Sequence, residues 1–267
     1  MKHVFSFFLT LALLISFCSC TYALTLTENF EGYTLTDDLI GEGTTGGDWS
    51  ADQKWSSIGM VADDWTCQTV NASNAGQFVS DMLPAHSGYR AFGHTINTNA
   101  TCELQYIISG ASPGFDLTYS GFSVSDNAES NGPVLFWKTD GADNLILKAA
   151  TSGPDIFIYN FGNLTGKTIG IKIEDVDFDA DTYNVLLDLD GGTEYAWNYH
   201  TEESAYVGFE ADIANFSAFG IGGNPGNGAT ASLDNIVING VPEPSTYALF
   251  GLGLFGLAYF RRKSLKK

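Results

Sequence analysis

Between Leu24 and Val241 no stretch sustains a helical period, and this constrains the fold more than any other feature. Short apolar-polar alternations recur instead, separated by Gly, Asn, Asp and Pro. They begin with TLTENF, and YRAFGHTI, CELQYII and FDLTYSGFSV follow. PVLFWKT and NLILKAA flank Asp140-Gly141-Ala142-Asp143, a hairpin signal. DIFIYNF, TIGIKIE, YNVLLDL, AYVGFE, FSAFGIG and SLDNIVI bring the set to about a dozen strands. In one of them Ile169, Ile171 and Ile173 alternate with Lys172 and Glu174, which predicts a sheet with one wet face. Many short strands, Gly-rich turns and no helices between them predict two stacked antiparallel sheets. There is no internal repeat and no low-complexity linker.

The ends read differently. Met1-Lys2-His3 is a positive head, Val4 to Phe17 is an apolar run, and Thr21-Tyr22-Ala23 offers a small residue at a cleavable site. That order is a secretory signal peptide, residues 1–23, for signal peptidase to remove after Ala23. Cys18 and Cys20 invite a lipoprotein reading, but Phe17 and Ser19 before them fit that pattern poorly. The body of 218 residues, 24–241, can bury a full core as one domain. It carries six basic side chains against thirty acidic ones, a formal charge of −24. Such a surface repels phosphate backbones, which argues against nucleic acid as a partner. It suits an exported protein that must stay soluble, or one that collects cations.

Residues 242–267 form a second address. Pro242-Glu243-Pro244 holds an extended segment that a protease can reach. Thr246 to Phe260 is apolar enough for a short transmembrane helix of about 22 Å, against a hydrocarbon core of roughly 30 Å. The basic tail at 261–267, led by Arg261, Arg262 and Lys263, would stay cytoplasmic and retain the chain in the membrane with the body outside. In motif, spacing and order, Val241 to Lys267 is similar to the PEP-CTERM sorting signal of Gram-negative bacteria that make exopolysaccharide. The resemblance implies an exosortase-type membrane protease as partner, cleavage near Pro242-Glu243-Pro244, and transfer to the cell surface or extracellular matrix. The alternative is a plain C-terminal anchor.

FEGYT near the start, IKIEDVDFDADTYNVLLDLDG in the middle and SLDNIVING at the end resemble the jelly-roll sandwiches of the concanavalin A-like or laminin G-like class. The resemblance implies that the opening and closing strands lie near each other. The class holds lectins, glycosidase domains and structural modules, so it does not choose a function.

Several residues carry candidate chemistry. Cys67 and Cys102 are exported if the signal peptide is removed, so a disulfide is expected, worth roughly 4 kcal/mol in the chain-entropy model, with two buried thiols as the alternative. Asp175, Asp177, Asp179 and Asp181 alternate toward a hairpin tip at Asp179-Ala180-Asp181. Like charges on one face repel, and a bound Ca²⁺ would relieve them, though Thr182 stands where a calcium loop needs Gly. Asp63-Asp64-Trp65 and Trp197-Asn198 pair a flat ring with hydrogen-bonding groups, as sugar sites do; core packing is the commoner role for Trp. Gly110 to Gly114 spells a nucleophile elbow around Ser112, but a strand follows where a helix is required. No Glu-x-Asp-x-x-Glu array of a glycosidase on this fold is present. The expectation is a non-catalytic exported protein of the polysaccharide matrix, with a sugar-binding module and a polysaccharide-cleaving enzyme as alternatives.

Overall fold

A computed structural model describes residues 24–36, 38–43, 54–58, 65–70, 72–78, 87–109, 119–125, 131–139, 144–162, 168–188, 197–198, 207–224 and 230–242. The expected signal peptide, the expected transmembrane helix, the basic tail, Ser112 and the pair Asp63-Asp64 lie outside them. Among the described residues every regular element is a strand, and no helix is long and apolar enough to cross a membrane.

In chain order the strands are β1 (Leu24–Glu28), β2 (Trp55–Ile58), β3 (Trp65–Val70), β4 (Ser73–Phe78), β5 (Ser87–Ser109), β6 (Tyr119–Ser125), β7 (Val134–Thr139), β8 (Leu145–Ala150), β9 (Ile156–Gly162), β10 (Thr168–Asp177), β11 (Thr182–Asp188), β12 (Trp197–Asn198), β13 (Val207–Gly208), β14 (Phe216–Asn224) and β15 (Thr230–Pro242). All named pairings are antiparallel. The fold is the antiparallel sandwich that the alternation predicts, of the jelly-roll type that the resemblance implies.

The long strand β5 joins the two layers. Its first half pairs with β2 on one side and β14 on the other, so that Arg90 stands opposite both Trp55 and Phe219. Beyond β14 that layer runs through β6, β7, β8 and β9. The second half of β5 pairs with β10 and β15, with Cys102 opposite Ile173 and Ile238. This layer extends through β11 on one side, and on the other through β1 and β4, with β3 outside β4. The change of layer falls at Asn97-Thr98-Asn99, where Asn99 takes a left-handed backbone, φ 50. Asn accepts that region more readily than most residues.

Inward side chains of both layers meet in one core. Aromatic rings bridge it. Tyr106 of β5 stacks on Trp137 of β7 at 3.6 Å; Trp137 touches Phe122, Phe122 touches Phe219, and Phe219 meets Trp55. Trp55 and Phe30 then pack edge-on to Trp65, both at 5.9 Å. Gly76 of β4 lies under Trp65 so closely that a Cβ there would enter the indole ring. Ile169, Ile171 and Ile173 are buried, while Lys172 bridges Glu103 at 3.5 Å and Glu174 at 2.9 Å on the wet face.

The expected Cys67–Cys102 disulfide is not formed; the sequence favoured it, and the tertiary structure overturns it. Both thiols are buried and unbridged. Cys67 lies on β3, and β4 and β15 stand between it and β5. Three strand spacings are roughly 14 Å, twice the Cα separation a disulfide spans.

Candidate functional site

Where β5 changes layer, the β10–β11 hairpin closes over it. Together they form a shallow pocket of about 410 Å³ lined by Asn97, Thr98 and Asn99 and by Asp175 to Asp179. The hairpin is local in origin. Glu174 and Asp177 bracket a register shift, with Asp175 at φ 51. Asp177 Oδ1 then accepts the backbone N–H groups of Asp179 at 2.9 Å and Ala180 at 3.0 Å. An Asx turn of this kind is why an aspartate opens the tip. Phe178, which also lines the pocket, packs edge-on to Phe216 at 4.9 Å.

The four alternating aspartates divide. Asp175, Asp177 and Asp179 are exposed along the rim, as the hairpin reading requires. Asp181, at φ 53, is half-buried and directed at Asp212 in the segment after β13. Burial raises the Asp181 pKa; the Asp212 charge, a hydrogen bond with the Asp212 carboxyl and the Asp177 charge act the same way. The expected calcium set does not fit this geometry. Asp177 gives its Oδ1 to the turn, Asp181 meets Asp212, and among the described residues no three His, Cys, Asp or Glu groups converge to hold a metal.

Of the two separate sugar-site candidates, Asp63 and Asp64 lie outside the described residues. Trp65 is 0% exposed within the core, so it presents no ring face to a ligand. Trp55 and Trp137 are buried as well, at 1% and 0%. Trp197 and Asn198 form β12, opposite Leu187 and Leu186 of β11 at the sheet edge, far along the sheet from Trp65. Asn97, Thr98, Asn99 and Asp212 were missed by sequence reasoning. The first three read there as a turn between two strands, and nothing near Asp212 signals the hairpin it meets.

The remaining feature is the end of the chain. β15 runs beside β1, with Leu24 opposite Gly240, and beside β5, with Val241 opposite Thr98 and Pro242 opposite Ile96. The first residue of Pro242-Glu243-Pro244 is therefore the last residue of the final strand, one pair from the pocket wall. Glu243, Pro244, Arg261, Arg262 and Lys263 lie outside the described residues.

An antiparallel sandwich whose closing strand leads into a Pro-Glu-Pro segment, an apolar stretch and a basic tail has the layout of an exported, C-terminally sorted protein. Residues 240–263 match the PEP-CTERM protein-sorting motif. That motif implies export, a membrane-anchored stage, an exosortase as processing partner and display at the cell surface. No curated protein matches the chain. Among solved structures, it is similar to a protein of unknown function from Shewanella oneidensis MR-1, at 13% identity over 84% of this chain and 88% of that one, with a TM-score of 0.50. It is also similar to a carbohydrate esterase from Shiga toxin-encoding bacteriophage phi24B, at 10% identity over 79% and 100%, TM-score 0.49. A third is the Ca²⁺/Man-bound exoplasmic/lumenal domain of VIP36, at 10% identity over 76% and 88%, TM-score 0.42. At such identities the likeness concerns fold alone.

Proposed function

We propose that this protein is a non-catalytic component of the extracellular polysaccharide matrix of a Gram-negative bacterium, delivered there by exosortase processing. In this reading residues 1–23 are removed by signal peptidase, 24–241 are the delivered body, and 242–267 hold the chain in the inner membrane until the cut. The match of residues 240–263 to the sorting motif carries the proposal. The acidic body, with a formal charge of −24, suits life in a hydrated matrix, where it stays dispersed.

The polar pocket favours a finer reading, that the body holds a polysaccharide. Asn97, Thr98 and Asn99 supply amide and hydroxyl groups, Asp175 and Asp179 supply acceptors, and Phe178 supplies a ring. Hydroxyl-rich chains are recognised by such arrays of short polar side chains.

Two measurements test the two levels. The chain's mass and location are compared in cells with and without the exosortase. A shortened chain at the surface only when the protease is present supports the sorting reading; an uncut chain in both strains overturns it. Processed protein is then passed over immobilised bacterial and plant polysaccharides, with calcium and with chelator. Selective retention lost in Asn97→Ala/Asp179→Ala supports the pocket; equal retention of the variant removes it.

A further inference from the structure

The final strand is held unevenly along its length. Ile236 to Gly240 of β15 pair with β1, and Val237, Ile238 and Asn239 pair with β5 as well. Among the described residues the pairing with β1 ends at Gly240, opposite Leu24. Beyond it the described pairing is with β5, and register shifts interrupt it between Asn239 and Val241 and again between Val241 and Pro242. Pro242 has no N–H to donate to the ladder. Gly240 is the last residue of β15 described as paired with β1. It is buried against Ile96, itself 0% exposed, and a Cβ at 240 would collide with the Ile96 side chain. The sorting match begins at this same residue.

We propose that Gly240, seated on Ile96, is the last residue the folded body holds, and that Val241 and Pro242 peel from β5 before the membrane protease cuts. This rests on the sorting reading above and adds the conformation in which the substrate is cut. A protease cleft takes its substrate as an extended strand and engages the backbone on both sides of the scissile bond. Residues flanking Pro242-Glu243-Pro244 cannot be engaged that way while paired with Thr98 and Ile96. The interrupted, one-sided pairing makes opening of this end a local event that leaves the sandwich folded. The glycine fixes where peeling stops, because the backbone approaches Ile96 more closely than any other residue permits.

A crosslink tests this in the full-length chain. Thr98→Cys/Val241→Cys places two thiols on directly opposed positions of β5 and β15. Each single variant and the unaltered chain are expected to be shortened in cells carrying the exosortase. The oxidised double variant is expected to stay full length in the membrane fraction and to be cut once membranes are treated with a reductant. Cleavage of the crosslinked chain at the unaltered rate overturns the proposal, as does a pair that does not crosslink, since Val241 would then lie elsewhere. A second variant inserts six Gly/Ser residues between Val241 and Pro242. It should be cut at least as fast as the unaltered chain, and slower cutting counts against the proposal. If the unaltered chain is not cut in either strain, the sorting reading fails first, and the crosslink result is not what decides it.

Discussion

Arg90 is a full charge set in an apolar interior. Its guanidinium meets the Glu28 carboxylate, and both side chains are 0% exposed. Glu28 also accepts the Tyr33 hydroxyl at 2.9 Å and the Phe30 N–H at 3.0 Å, so its two oxygens tie β1, the turn after it and β5 together. Removing one partner of a buried pair strands the other charge. Arg90→Met should lower unfolding stability by about 3–5 kcal/mol in denaturant titration, and Glu28→Gln/Arg90→Met should recover part of the loss. Asp234 behaves oppositely. Its residue is 2% exposed, and burial pushes its pKa up to about 6, with the Glu31 and Glu28 charges adding to the rise. The Asn235 N–H at 2.7 Å and the Ser73 hydroxyl at 3.1 Å offset part of it. The folded pKa exceeds the ordinary 3.8, so between about pH 4 and 6 the folded chain holds a proton that the unfolded chain has released. This group's contribution is therefore fully present below about pH 4 and is lost as pH rises through 6. Asp234→Asn should flatten that part of the stability profile, measured as Tm against pH; an unchanged slope would place the titration elsewhere.

Among the elements, β10 and β11 were the most legible. Alternating isoleucines, a tip rich in aspartate and a second alternating run identify a hairpin without tertiary help. Its turn uses Asp177, and Asp177→Ala should cost about 1 kcal/mol through the two exposed turn hydrogen bonds it removes. Hydrogen exchange of the Asp179 and Ala180 amides should accelerate in the same variant, and unchanged exchange would count against the turn. Strands β2, β3 and β4 escaped sequence reading. SNAGQF has neither β-branched residues nor a clean alternation, and it is a strand because it pairs with β3 and β15 and lets Trp65 lie on Gly76. Local propensity yields to such packing. Likewise Asn97-Thr98-Asn99 has the composition of a turn, yet the chain continues through it as one strand from Ser87 to Ser109. At these residues the strand changes partner on one edge, from β14, whose pairing ends at Ile96, to β10, whose pairing begins at Cys102.

Across the whole molecule the two thiols show how far the layers separate residues. Burial raises the Cys102 thiol well out of the reactive range, and the neighbouring Glu103 charge adds to it. The processed body, residues 24–241, should therefore give no reaction with a thiol reagent while native, and its two thiols, Cys67 and Cys102, should both react on unfolding without reductant. A mass two units lower in the non-reduced chain would mean that a bridge forms after all. What the sequence determined by itself is what contiguous residues encode: the strand periodicity, the acidic body, the hairpin tip and the sorting tail. Each is a pattern within a few neighbours or a running composition. Tertiary structure alone decided what joins distant positions. It brought Arg90 to Glu28, 62 residues away, and set Asp212 against Asp181. It buried Trp65 and parted Cys67 from Cys102 by two intervening strands. It also carried the last strand one residue into the sorting motif's Pro-Glu-Pro. Those outcomes depend on which strands pair and on which face of the sheet each side chain falls, and strand pairing across such distances is set by the packing of the whole core.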